Sequence, residues 1–361
     1  MHTPVRILVV GCGHMGTSHA KAYHALPGFE IVGVVARTAA SRQALLAAVG
    51  AEYPQFADYG EALAATRPDA VSINTYPDTH ADYALRAFAA GCHVFLEKPL
   101  APTVAEAEAV VAAARAANRK LVVGYILRVH PTWARFVEMA QTLGTPLVMR
   151  MNLNQQSSGD MWRTHKALMQ SMSPIVDCGV HYVDIMCLMT RSRPVRVSAI
   201  GARLSDELPP GMYNYGQLQV TFADGSVGWY EAGWGPMMSD VAFFVKDVVG
   251  PRGCVSIAGV RDGDVASDDI GGHTKAARLR LHHAELAPDG SFARSDEFID
   301  CGETEPDHDG LCLLEQQLFL DAIEHDRDLT AHMTDAVNSL RIVLAADESF
   351  RTGRTVELSG G

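Results

Sequence analysis

The chain has 361 residues, enough for two or three domains with a large buried core. Thirty Lys and Arg against 42 Asp and Glu leave a formal charge of −12, which argues against a nucleic-acid surface or a basic membrane-binding patch. With 48% hydrophobic and 20% charged residues the composition is that of a globular protein, so an anionic ligand would need positive charge placed locally.

The first 124 residues alternate β-branched runs with Ala-rich amphipathic stretches. Residues 5–10 read as a strand and 14–26 as a helix, followed by a strand over 30–36 and a helix over 39–49. Residues 69–73 and 93–96 are further buried strands, with a helix over 78–90 between them. Thr103 caps a helix over 103–118, with Glu106 three residues on, and residues 120–124 close the series. Such alternation predicts parallel βαβ units, an α/β doubly wound sheet of the Rossmann type.

After Tyr125 the pattern changes. Helices are expected over 131–143 and 174–189, and strands over 146–154, 195–204, 213–222, 226–234, 241–249 and 277–283. Asp224-Gly225 marks a hairpin turn, residues 261–272 read as an Asp/Gly-rich surface loop, and helices over 311–325 and 334–350 finish the chain. Strands in succession predict an α+β domain with a large, mainly antiparallel sheet. The expected division is therefore 1–124 for a nucleotide-binding domain and 125–361 for substrate binding and oligomerisation.

Seven scattered cysteines without a C-x-x-C pair encode neither a zinc ribbon nor a disulfide framework. The N-terminal apolar run is too short for a secretory signal, and no segment approaches 18 uninterrupted apolar residues. A reduced, soluble, cytoplasmic protein is expected.

Gly11-Cys12-Gly13-His14-Met15-Gly16 follows the first strand and opens the first helix. There Gly11 permits the tight turn, Gly13 close approach of backbone to a pyrophosphate, and Gly16 close packing of helix on strand. The helix N-terminus offers free N–H groups to phosphate oxygens. The acidic residue that usually binds the ribose 2′-OH is replaced by Ala36, with Arg37, Thr38, Ser41 and Arg42 after it. Guanidinium and hydroxyl groups suit a 2′-phosphate, which favours NADP(H) with NAD(H) possible; alternatively Arg37 stacks on adenine and both are accepted.

Lys98 follows the strand at 93–96, in the crevice where ligands of such sheets bind, and Pro99 restrains its backbone. Taken alone, a lysine there is more often a surface residue. Asp177 and His181 are spaced i, i+4 in a predicted helix, with Asp184 at i+7. A carboxylate beside an imidazole raises its basicity and orients it, as a general base requires; the alternative is an ordinary satisfied helix pair. A metal reading of Asp177, His181 and Cys187 lacks a third ligand at helical spacing, and no metal is expected. Asn154 with Gln156, and Tyr213 with Tyr215, share strand faces and can present polar groups together.

Together GCGHMG, TYPDTHADYALRAFAAGCHVFLEKPL and DCGVHYVD resemble the Gfo/Idh/MocA family, with the layout similar over nearly the whole chain. The resemblance implies NAD(P)-dependent hydride transfer at a secondary alcohol of a sugar, cyclitol or related polyol. It implies catalytic roles for Lys98, Asp177 and His181, which with Asn154, Gln156, Tyr213 and Tyr215 form the expected substrate set. Cofactor contacts are expected from Gly11, Gly13, His14, Met15, Gly16, Ala36, Arg37, Thr38, Arg42, Thr75, Tyr76, Pro77, His80, Glu97, Lys98, Arg128, Trp162 and Arg163. The chain departs from the family at Tyr76, where Pro is usual, and at Ser171-Met172-Ser173-Pro174, where glycines are usual. Two other readings exist on this fold: a glycosidase or lyase that recycles NAD, and a dinucleotide-sensing regulator. Regulators typically lose the lysine or the histidine, and this chain keeps both. An antiparallel sheet with one uncovered face predicts a homodimer or homotetramer.

Overall fold

In a computed structural model the described residues are 3–239, 245–258, 274, 276, 278–301 and 305–358. They form two compact units, Met1–Val129 with Pro306–Val337, and His130–Glu305 with Asn338–Gly361. Among the described residues no helix is long and apolar enough to cross a membrane.

In the first unit β1 (Val5–Val10), α1 (His14–Ala25), β2 (Phe29–Val35), α2 (Ala39–Val49), β3 (Gln55–Phe56) and α3 (Tyr59–Thr66) form one half of the sheet. The other half is β4 (Ala70–Ile73), α4 (His80–Ala89), β5 (His93–Leu96), α5 (Val104–Ala116) and β6 (Leu121–Val123). The six strands are parallel in the order β3-β2-β1-β4-β5-β6, as expected of a doubly wound sheet. Strands buried on both faces read as unbroken apolar runs: every residue of β4 and of β6 is buried. Side chains start the helices, with Thr38 accepting from the Ser41 N–H (3.2 Å), Asp58 from Glu61 (2.8 Å) and Thr103 from Glu106 (3.2 Å).

The second unit contains α6 (Pro131–Thr142), β7 (Val148–Gln155), α7 (Gly159–Leu168), α8 (Pro174–Asp177), α9 (Gly179–Thr190), β8 (Pro194–Ala202), β9 (Tyr215–Phe222) and β10 (Val227–Trp234). It continues with β11 (Lys246–Gly250), β12 (Gly253–Ala258), β13 (Arg278–His283) and β14 (Glu297–Asp300). The chain ends with α10 (His308–Glu324), α11 (Thr330–Thr352) and β15 (Val356–Glu357). The nine-stranded sheet runs β14-β13-β12-β11-β7-β10-β9-β8-β15, antiparallel except where β10 meets β7. Burial alternates along β9 and β12, so one face is packed and the other is open.

A single cut at residue 124 would give both C-terminal helices to the second unit. Instead, Pro306–Val337 belongs with the first. Phe319 of α10 enters the core cluster of Ile7, Val9, Tyr23, Phe29 and Phe95, and its ring lies 6.1 Å from that of Phe29. The helix expected over 174–189 is interrupted at Cys178. Gly179 lies where an added Cβ would come within 2.8 Å of the Tyr230 ring, so packing against β10 sets the position of this segment. The strand expected over 241–249 is seen from Lys246, and residues 240–244, like the loop 261–272, lie outside the described residues.

Candidate active site

The glycine turn is tight at Gly11 and Gly16. Gly11 has φ 95°, and a Cβ there would stand 2.4 Å from the Asn74 carbonyl oxygen. A Cβ on Gly16 would stand 1.8 Å from the Gly11 carbonyl oxygen. Gly13 caps α1, and a Cβ there would meet nothing within 4 Å. The turn is thus closed beneath and open at Gly13, a backbone cradle at a helix N-terminus. His14 is exposed and Met15 half-buried on its first turn.

At the end of β2, Arg37 is exposed and Thr38 bonds Ser41 (Oγ–Oγ 2.7 Å). Arg42 donates through Nη1 to the Ala36 carbonyl, while its buried Nε has no hydrogen-bond partner. At the end of β4, Thr75 and Pro77 are half-buried and Tyr76 is 70% exposed. His80 is buried, with Nδ1 2.8 Å from the Pro99 carbonyl and Nε2 3.0 Å from the Thr75 carbonyl, so one ring spans the loops after β4 and β5.

Lys98 follows β5 and is half-buried. Its backbone N–H donates to Glu97 Oε2 (3.1 Å), while Glu97 Oε1 lies 2.8 Å from His19 Nε2. Burial pushes the Glu97 carboxyl up, but the bond and charge of His19, with Lys98, outweigh it and hold the group below the usual range. Glu97 is therefore a fixed anion that anchors the Lys98 backbone. Arg128 is turned into its own unit, bonded to Asp335 at 2.8 Å with both side chains 11% exposed.

In the second unit Asp177 ends α8 and His181 lies buried in the first turn of α9, so the pair spans a break and does not share one continuous helix. Asn154 donates to Glu231 (2.6 Å), and exposed Gln156, just past β7, donates to the Met238 carbonyl (2.6 Å). Tyr213 departs from its expected place: it precedes β9, is 3% exposed, and its hydroxyl donates to Asp347 (2.5 Å). It is a core tyrosine, while Tyr215 is half-buried at the start of β9. Trp162 donates to Glu207 (3.1 Å), and exposed Arg163 pairs with Asp160.

Two neighbours escaped the sequence reading. His165 stacks on Trp234 (4.2 Å, 8°) and bonds Ser157 (2.9 Å); burial lowers it to about 4 despite the Asp177 charge. Lys246 is fully buried, 4.5 Å from the Tyr182 ring, and burial drives its amine well below the ordinary lysine value. An isolated histidine or lysine in a strand or helix pattern carries no signal of either environment.

Residues 5–125 match the family model "Oxidoreductase family, NAD-binding Rossmann fold", and residues 134–246 match the "GFO/IDH/MocA C-terminal domain". The chain is 26% identical over 368 residues to the scyllo-inositol 2-dehydrogenase (NAD(+)) of Bacillus subtilis, covering 99% of this chain and 97% of that protein. It is 28% identical over 186 residues to the inositol 2-dehydrogenase of Klebsiella pneumoniae subsp. pneumoniae, covering 50% of this chain. That match, at 53%, spans about half the relative's length, as do those to several other inositol 2-dehydrogenases. A solved NAD binding oxidoreductase from Klebsiella pneumoniae shares the fold, with TM-score 0.80 at 20% identity, over 99% of this chain and 100% of that one. With both family models matched in order along it, the chain belongs to the GFO/IDH/MocA oxidoreductase family.

Proposed function

We propose that the protein is an NAD(P)-dependent dehydrogenase or reductase acting on a secondary alcohol or ketone of a sugar, cyclitol or related polyol. The observation that carries this reading is the turn that glycine alone can close at Gly11 and Gly16 and that stays open at Gly13, in the same sheet as a lysine after β5 whose backbone N–H is held by a buried carboxylate. The cradle fits a pyrophosphate, with Gly13 and the first N–H groups of α1 holding it. When bound, the nicotinamide supplies the hydride acceptor or donor. Lys98 hydrogen-bonds the reacting oxygen and stabilises its developing negative charge. His181 takes the hydroxyl proton during oxidation, and Asp177 stabilises the imidazolium. Asn154, Gln156 and Tyr215 are proposed polyol contacts. Inositol relatives support the polyol class.

NADP(H) is the proposed preferred cofactor, NAD(H) the second. Support comes from Ala36 in the acidic position, the exposed Arg37, the Thr38 and Ser41 hydroxyls and the unpartnered Arg42 Nε. Self-association through the open face of the nine-stranded sheet is also proposed. Val249, Val148 and Val227 are register partners on adjacent strands and 36%, 41% and 39% exposed, forming an apolar row. The test screens polyols and sugars with NADP and NAD separately, following reduced-nicotinamide absorbance. Turnover on a polyol, with the NADP/NAD ratio of kcat/KM falling at least ~10-fold in Arg37→Ala, is expected. No turnover with any polyol overturns the activity, and an unchanged ratio overturns the NADP preference.

A further inference from the structure

Between α1 and α10, inside the first unit, lies a cluster of metal-ligating side chains that the proposed reaction does not use. His19 of α1 and Cys312 and Glu315 of α10 are 0%, 0% and 3% exposed, and one donor atom from each lies within 4.8 Å of the others. One turn earlier on α10, His308 Nε2 is 3.7 Å from Cys312 Sγ. The spacing of 308, 312 and 315 puts these side chains on one helix face.

Two further observations point to a missing occupant. Glu315 Oε1 is buried with no hydrogen-bond partner, a costly state for a carboxyl oxygen. His19 turns Nε2 to the Glu97 carboxylate at 2.8 Å, which fixes that nitrogen as the donor. Its Nδ1 is left as the lone-pair nitrogen, 2.9 Å from the Gln316 amide on the same helix. A carboxylate behind an imidazole is the arrangement that metal-binding histidines use.

We propose that His19, the Cys312 thiolate and the Glu315 carboxylate bind one divalent cation of the zinc class, with water in the fourth position and His308 flanking the thiolate. The mixed nitrogen, sulfur and oxygen set suits four-coordinate zinc and disfavours magnesium and calcium, which take oxygen ligands. The cation displaces the Gln316 amide from His19, gives Glu315 Oε1 its partner, and ties α10 to the helix whose N-terminus carries Gly13. Glu97 then serves two neighbours, orienting His19 with one oxygen and holding the Lys98 backbone with the other.

The full-length protein is stripped with a chelator and titrated with Co²⁺ as a spectroscopic probe, then with Zn²⁺ in competition. The expected result is one Co²⁺ per chain, with a thiolate-to-cobalt charge-transfer band and the intense visible bands of tetrahedral coordination. Cys312→Ser should lose the charge-transfer band, and Glu315→Gln should keep it while binding at least ~10-fold more weakly. Circular dichroism in chelator confirms that each variant is folded. Should a variant not fold, the wild-type spectrum decides alone. Absence of the charge-transfer band in wild type, or a Cys312→Ser protein that binds Co²⁺ with unchanged spectrum and affinity, overturns the proposal.

Discussion

Substituting Gly16 and Gly13 by alanine separates what the glycine turn does for the fold from what it does for a ligand. At Gly16 the new Cβ would stand 1.8 Å from the Gly11 carbonyl oxygen and 2.9 Å from its carbon. Gly11 cannot retreat, because its own Cα hydrogen faces the Asn74 carbonyl, where even a Cβ would come within 2.4 Å. The strain must therefore move helix against strand, an overpacking cost of about 1–3 kcal/mol. For a unit of this size that corresponds to a melting temperature lower by about 2–4 °C per kcal/mol. At Gly13 the φ of −85° suits alanine and nothing lies within 4 Å, so stability should fall by no more than about 1 kcal/mol, the worth of a helix cap. The Cβ does, however, fill the space proposed for the pyrophosphate. Differential scanning fluorimetry and NAD(P)H fluorescence titration read the two effects. Gly16→Ala should melt early; Gly13→Ala should melt close to wild type yet bind dinucleotide at least ~10-fold more weakly. A stable Gly16→Ala protein, or a Gly13→Ala protein with wild-type affinity, refutes this division of roles.

Other outcomes follow from the same geometry. Glu97→Gln, which weakens the hold on the Lys98 backbone and on His19, should lower kcat about 10- to 100-fold with KM little changed, and should shift the pH–rate profile. A profile and kcat equal to wild type would show that the anchoring is idle. Tyr213→Phe removes a donor from Asp347, already pushed up by burial, and should cost about 1–3 kcal/mol in urea unfolding. His332 accepts the Val123 N–H at 2.9 Å and is lowered to about 3 by burial, first, and by Arg128. Because the unfolded chain binds that proton near pH 6.5, stability is full above this value and declines as pH falls toward 3, by about 4–5 kcal/mol from this group. A flat stability curve between pH 7 and about 4 would contradict it.

Much of the nucleotide-binding unit can be read in the chain because parallel strands buried on both faces appear as short apolar runs, and because the glycines sit where strand becomes helix. The second unit is less transparent for identifiable reasons. β3 and β15 have two residues each, too few to show alternation, and β14 is an exposed edge of the sequence EFID. Tyr213 fits strand alternation, yet its hydroxyl is claimed by Asp347, distant in sequence. The break at Cys178 between Asp177 and His181 carries no proline to mark it, and Gly179 after it packs where a Cβ would meet the Tyr230 ring. The cluster at His19, Cys312 and Glu315 was hidden for a similar reason, since its ligands come from the two ends of the chain.

Direct hydride transfer between a polyol carbon and the nicotinamide is tested by a substrate deuterated at the reacting carbon, with mass spectrometry of the cofactor after turnover. Deuterium is expected on the reduced nicotinamide in the wild type, with transfer slowed by orders of magnitude in Lys98→Ala and His181→Ala at little-changed cofactor affinity. Deuterium lost to water with no net cofactor reduction, or wild-type transfer in either variant, would contradict it.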